Sequence, residues 1–302
     1  MSVRVRPRVP RLTMCRVQRH GSRCFNHSIC RVRFLSEPIM GICRFSYLGR
    51  GDWGAYKGTA LDSPEQEAAR QRVASELYLP DRLEQRFQSF ETLTLPSIAA
   101  QTDRDFDFLV LTSPELPAPL RARLQRLCDS VPRVRLLVSD ATDVGRALEP
   151  VLDTAGPLLQ FRLDDDDCLT VHYIAHLRRA AAAMRDHPHF AFSLPRALLV
   201  TQYGAGAQRY EVMKPFHGAG VAARLPDRKP IFAYGHYALA RRFPSLSDPT
   251  VHGSLQTKTA GHDSKEVRSG SGIDDIADAR FASVLQREFP FLDQATRLRL
   301  SA

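Results

Sequence analysis

Four consecutive carboxylates, Asp164 to Asp167, close the apolar run Leu158-Leu159-Gln160-Phe161-Arg162-Leu163. Adjacent anions repel one another unless a cation sits among them. Carboxylate oxygens with no Cys or His close by in sequence, Cys168 apart, suit a hard ion such as Mn2+ or Mg2+ and disfavour zinc. An ion of that kind, held by one or two carboxylates and completed by water, neutralises the phosphates of a bound nucleotide. A phosphate-bearing substrate is therefore the first expectation. The plainer account is helix capping, because Val171, Ile174, Leu177, Ala181 and Met184 recur near the helical period and predict a helix over 170–186 directly after the carboxylates. One Asp as N-cap and a second in the first turn each stabilise a helix by about 0.5–2 kcal/mol. Four in a row on a buried strand exceed that need.

The elements that must position the tetrad are legible as an alternation. Ile42 to Ser46 reads as a short buried strand, followed by a Gly-containing loop from Gly49 to Gly58 that does not form a GxGxxG fingerprint. Leu83, Phe87, Phe90 and Leu93 give a helix over 81–95, with Arg82 and Arg86 one turn apart on a common face. Phe106 to Leu111 is a strand, Pro117 to Cys128 a helix, Val134 to Val138 a strand, Val144 to Leu152 a helix, and Leu158 to Leu163 the strand that ends in the tetrad. Strands separated by helices of this length form a mostly parallel sheet flanked by helices, an α/β fold. Ligands bind at the carboxyl edge of such sheets, where the tetrad falls. Beyond residue 187 the alternation is lost. Short strands are expected at 190–194, 197–203, 210–213 and 231–234, giving a mixed or antiparallel C-terminal half. The polar stretch 247–272 reads as a mobile loop, and a helix is expected from Asp274 to about Glu288.

Composition narrows the function classes. The net charge is +9, yet residues 1–39 hold nine arginines and one acid, Glu37, so they carry +8 of it. The remaining body is nearly neutral, which removes the argument for nucleic-acid binding. No run approaches the ~18 apolar residues needed to span a bilayer. The six cysteines contain no C-x-x-C pair, so neither a disulfide framework nor a zinc knuckle is indicated. A reducing cytoplasmic setting is expected, with peripheral attachment at the inner face of a membrane left open. The expected organisation is a disordered Arg-rich leader over 1–39, a folded domain over 40–290 and a tail over 291–302. The leader has the composition of a transit peptide, although translation starting at Met40, where the strand-like pattern begins, accounts for it more simply.

Several strings together resemble a known family. They are Arg44-Phe45-Ser46-Tyr47, Arg82-x-x-x-Arg86-Phe87, Phe90-Glu91-x-x-Thr94-Leu95-Pro96-Ser97, Ala100-Gln101-Thr102-Asp103, and Phe161 through Asp167. They are similar to bacterial rhamnosyltransferases, nucleotide-sugar glycosyltransferases of the GT-A class with a D-x-D signature, over about 40 to 290. The resemblance implies metal-dependent transfer of a sugar, rhamnose by the family name, from a nucleotide-sugar donor to a hydroxyl acceptor such as a glycan. On that pattern Asp164 faces the donor and the metal and Asp166 is the direct metal ligand, with Asp165 and Asp167 an alternative D-x-D register and Asp167 otherwise free to cap the next helix. The pattern also places a His from a late loop on the metal, here His262, with Asp263 beside it as the base for the acceptor hydroxyl and Asp248 and Glu211 as alternatives. Arg44, Ser46, Arg86, Arg162 and Asp165 are the expected donor-binding residues, with Arg suited to gripping phosphate through paired donors. Two rival readings remain at this point: a metal-dependent phosphoryl hydrolase, and a binding module of the same fold without turnover.

Overall fold

The computed structural model describes residues 37–50, 53–153, 158–202, 206–226, 229–259, 267 and 269–301. Strand β1 (Ile39–Arg44) is an interior strand of a seven-stranded sheet. It pairs in parallel with β2 (Asp107–Thr112) on one side and, across the other, with β4 (Leu159–Asp164), while β3 (Val134–Val138) extends the sheet from β2. Alternate residues of β1 serve opposite faces: Ile39 and Cys43 join one apolar cluster, Met40 and Ile42 another. Burial on both faces is what a parallel sheet sandwiched between helices requires. Gly41 sits where any Cβ would collide with the rings of Phe161 and Phe108, so glycine lets two aromatic side chains close over β1.

The helices fill the crossovers. Between β1 and β2 run α1 (Pro64–Leu77), α2 (Pro80–Ser89), a π-helical turn (Phe90–Thr94) and α3 (Leu95–Ala99). The single helix expected over 81–95 is thus continued past Pro96, and the π turn just before it, where the Leu95 amide reaches back to the Phe90 carbonyl, falls where a proline interrupts the regular α-helical ladder. Helix α1 had no expectation attached to it. It is capped by Ser63, whose Oγ accepts from the Gln66 amide at 3.2 Å, but its buried positions make a weak apolar stripe. Helices α4 (Ala118–Asp129) and α5 (Val144–Leu152) follow β2 and β3 and match the sequence reading closely.

Three other expectations are corrected. The tetrad does not abut a helix: β5 (Cys168–Leu169) intervenes, α6 spans Tyr173–Ala183 with His172 as its N-cap residue, and its first turn holds no acid. Capping therefore does not account for Asp167. Residues 231–234 form a 3-10 turn, Ile231–Ala233, in place of a strand. Most consequentially, the stretch 247–272, expected as a mobile loop, contains β11 (His252–Thr259), the longest strand among the described residues. It is an interior strand of a five-stranded sheet ordered β12-β8-β7-β11-β5, parallel to β7 (Arg196–Gln202) and antiparallel to β5. Its polar side chains are buried because they find partners inside the fold; His252 Nε2, for example, lies 2.9 Å from Glu211 Oε1.

The second sheet is completed by β8 (Gln208–Met213) and β12 (Ile273–Asp275), both in antiparallel pairs. On the first sheet, β6 (Phe190–Ser193) and β4 flank β9 (Ala222–Arg224) in antiparallel pairs, with β10 (Ser245–Ser247) beyond β6. Helix α7 spans His236–Arg242, and α8 (Asp278–Glu288) packs with α9 (Gln294–Ser301). Leu300 of α9 is buried in one cluster with Phe281, Leu198 and Leu93, which ties the end of the described chain to the second sheet.

Candidate functional site

The pleat of β4 decides which carboxylates face outward. Phe161 and Leu163 point into the core, so Arg162 and Asp164 share the other face. The chain then turns, with the Asp167 amide 3.4 Å from the Asp164 carbonyl. All four line a cleft of about 340 Å³, with alternating exposure: Asp165 is 2% exposed and Asp167 8%, while Asp164 and Asp166 are half-buried. Two hydroxyls fix the turn from opposite elements. Thr94 of the π turn donates to the Asp167 carbonyl at 2.8 Å, and Thr257 of β11 donates to the Asp166 carbonyl at 2.9 Å.

The cations come from three elements. Arg86 of α2 donates to Asp165 Oδ1 and lies 3.6 Å from Asp166 Oδ2. Arg44, at the end of β1, and Arg162 of β4 both pack on the ring of Phe232, at 4.3 and 4.9 Å from its centre. Arg82, one turn before Arg86, lies 5.1 Å over Trp53. These charges separate the acids. Burial works to raise the pKa of Asp164, but Arg162, Arg44 and Arg86 outweigh it and hold the carboxyl below its ordinary value. Asp165 goes the other way, carried up to about 6 by burial against the pull of Arg86. Burial also raises Asp166, and it raises Asp167 well above the usual range with the help of Asp166 and Asp164. Asp165 Oδ2 is buried with no hydrogen-bond partner among the described residues.

The structure brings Arg44, Ser46, Arg86, Asp164, Asp165 and Asp166 to one cleft, with Arg162 beside it. Ser46 follows the strand in a left-handed conformation, φ +44°, rather than lying within it as expected. His262 and Asp263 lie outside the described residues. The alternative bases are elsewhere. Glu211 is engaged by His252, Arg280 and Arg196 on the second sheet, and Asp248 accepts from Thr250 on the surface. Among the described residues no three His, Cys, Asp or Glu converge as a metal-holding set. Asp164 and Asp166 nevertheless fit a hard divalent ion that takes two carboxylates from protein and its other oxygens from phosphates and water.

Sequence reasoning missed the opposite wall. It is formed by Gln256, Thr257 and Lys258 of β11 together with His217 and His236. The Gln256 side chain donates to the His217 carbonyl at 3.2 Å, and His217 Nδ1 lies 2.7 Å from the Tyr237 hydroxyl. The one available signal was Trp53, the sole tryptophan, placed in a loop beside the first strand. The histidines carried none.

The family model described as "Putative rhamnosyl transferase" matches residues 38–271. The chain belongs to this family. It is a glycosyltransferase family, consistent with an α/β fold that presents carboxylates at the carboxyl edge of a parallel strand. No curated protein sequence matches the chain. Solved structures similar to it include S. aureus TarS 1–349, at 13% identity and a TM-score of 0.33 over 73% of this chain and 60% of that one. TarS in complex with UDP gives 12% and 0.36 over 73% and 60%, and TarS in complex with UDP-GlcNAc 14% and 0.34 over 83% and 64%. The chain thus spans about 60% of the length of these structures, and likenesses this distant carry no weight for its function.

Proposed function

We propose that this rhamnosyl transferase family member moves a sugar, rhamnose by the family name, from a nucleotide-sugar donor to a hydroxyl acceptor, with Mn2+ or Mg2+ held at Asp166 and Asp164. The observation that carries the reading is the end of β4: four carboxylates line one cleft, Asp164 and Asp166 the more exposed pair, with Arg44 and Arg86 on its walls. An ion there would neutralise the diphosphate and stabilise the departing nucleotide. The protein's own residues supply the rest. Arg44 and Arg86, with Arg162 nearby, offer guanidinium donors to phosphate oxygens. Asp164, kept ionised by Arg162 and its neighbours, is an acceptor for donor hydroxyls. In the transfer the bond from the sugar's anomeric carbon to the phosphate oxygen breaks, a bond to the acceptor oxygen forms, and the acceptor proton passes to a base. Asp263 is assigned that role and His262 a place on the metal, five and four residues beyond Lys258 in sequence.

The test is a panel of nucleotide sugars given to the purified full chain with Mn2+ or Mg2+, followed by assay of the products. Nucleoside diphosphate is expected, with release lost on chelation and reduced about a hundredfold or more in Asp166→Ala. Inorganic phosphate as the sole product would instead establish the phosphoryl hydrolase reading.

A further inference from the structure

A second cavity, of about 360 Å³, lies against the first and shares two residues with it, Thr257 and Lys258. The end of β11 is therefore the partition between them, and Thr257 fastens that partition to the backbone of Asp166. Helix α2 serves both sides. Arg82 and Arg86, one turn apart, line the first cleft, while Gln85 and Gln88, three residues apart, line the second.

The chemistry of the second cavity differs from the first. Leu93, Val200 and Leu300 give it an apolar floor, and Gln85, Gln88 and Gln202 place side-chain amides around it. Amides that both donate and accept suit vicinal hydroxyls, and an aliphatic floor suits the C–H face of a sugar ring. Among the described residues it is lined by two cations, Lys258 and Arg299, and by no Asp or Glu. Arg299 is half-buried, and its Nη2 donates to Thr92 Oγ1 at 3.0 Å. Burial pulls its pKa below the ordinary arginine value, and the charge of Asp293 offsets that only in part. A neighbouring hollow along α2, by contrast, carries Asp81, Glu84 and Glu91 and would repel an anionic ligand.

We propose that the second cavity is the acceptor subsite, and that it takes a saccharide bearing an acidic group, a uronate or a phosphorylated sugar, seated on the apolar floor with its anion on Arg299. This rests on the glycosyl-transfer reading of the first cleft. It adds the chemical class of the acceptor and the route by which its hydroxyl reaches the donor, over Lys258.

Binding is measured on the full chain by saturation-transfer NMR and titration with four probes: glucuronate, glucose 6-phosphate, glucose and inorganic phosphate. One or both anionic sugars should bind about tenfold more tightly than glucose and than phosphate, and which of the two does so separates a carboxylate from a phosphate acceptor. Arg299→Gln should erase that preference while nucleoside diphosphate binding is kept. Gln202→Ala, at an exposed strand end where folding is not at stake, should weaken the anionic sugars severalfold. Equal binding of glucose and the anionic sugars, phosphate binding as tightly as glucose 6-phosphate, or an unchanged preference in a folded Arg299→Gln protein would each overturn the assignment. The two readings fail separately. Nucleoside diphosphate release without an acidic-sugar preference sinks the subsite alone, whereas the preference without release from any nucleotide sugar sinks the transfer reading.

Discussion

The two walls of the cleft are built on opposite principles. The β4 wall is a run of like charges driven into the interior, tolerable because Arg86, Arg44 and Arg162 arrive from α2, β1 and β4 itself. The β11 wall is neutral apart from Lys258; its backbone is fixed in the second sheet between β7 and β5, and only single side-chain hydrogen bonds, from Thr257 and Gln256, tie it to the tetrad and to His217. The first arrangement fixes position strongly, since each buried charge is costly unless its partner is in place. In the second the strand is held by its sheet, and only its cleft-facing side chains rearrange at little cost. A cleft with one electrostatically locked wall and one wall of lightly tethered side chains can hold a diphosphate against the first and adjust to a sugar along the second. The difference predicts a steep gradient in the effect of mutation across a few ångströms.

The largest effect belongs to Arg86. Its side chain is 19% exposed and its partner Asp165 is 2% exposed, so Arg86→Met leaves a buried carboxylate without its cation. Loss of one member of a buried pair costs about 3–5 kcal/mol. Chemical denaturation at pH 8 should show a loss in that range. The loss should shrink on acidification. Asp165 already titrates near 6 with Arg86 present, and removing Arg86 raises it further. The folded state then binds more protons than the unfolded one, whose Asp titrates near about 3.9, so stability rises as pH falls through the interval between them. Asp165→Asn in the Arg86→Met background should recover part of the deficit at pH 8. A single mutant within 1 kcal/mol of wild type would mean that the β4 wall is no more rigid than the other.

The same contrast explains what could be read without coordinates. The β4 wall is local in sequence: an apolar strand, then four acids, in a chain whose β2, α4, β3 and α5 announce themselves by apolar spacing. Its cation was harder to assign. Arg86 is 79 residues from Asp165, a distance no spacing rule spans, so the sequence pointed to a metal and to phosphate-binding arginines without pairing Arg86 to the tetrad. The β11 wall was misread outright. His252-Gly253-Ser254-Leu255-Gln256-Thr257-Lys258-Thr259 has one large aliphatic residue, and its strand character comes from pairing with β7 and β5 rather than from its own composition. Polar side chains buried by tertiary partners look like a loop to any rule based on hydropathy.

On the β11 wall the expected effects are smaller. Thr257→Val keeps the β-branched shape and removes the hydroxyl that donates to the Asp166 carbonyl. A net loss of about 1 kcal/mol is expected in the denaturation midpoint. Because that bond couples the partition to the tetrad, the donor KM should rise more than kcat falls. A midpoint shift below about 0.3 kcal/mol with unchanged kinetics would show that the two walls are not coupled through this bond.

At neutral pH the smallest effect should come from His217, which β11 holds through its backbone carbonyl. Burial, with Lys214, His236 and Lys258 adding positive charge nearby, brings its pKa down to about 4. In the unfolded chain it titrates near about 6.5, so between those values the unfolded state binds more protons than the folded one. Stability is therefore retained above about pH 6.5 and eroded as the pH falls toward 4, the opposite sense to Asp165 in the Arg86→Met protein. Thermal melting of wild type and His217→Gln across this interval isolates the contribution. The variant should have the flatter profile, differing by several degrees toward about pH 4 and little above about pH 6.5, with His236 accounting for part of the slope that remains. Parallel profiles would place His217 in free contact with water and leave the β11 wall looser still than its single hydrogen bonds imply.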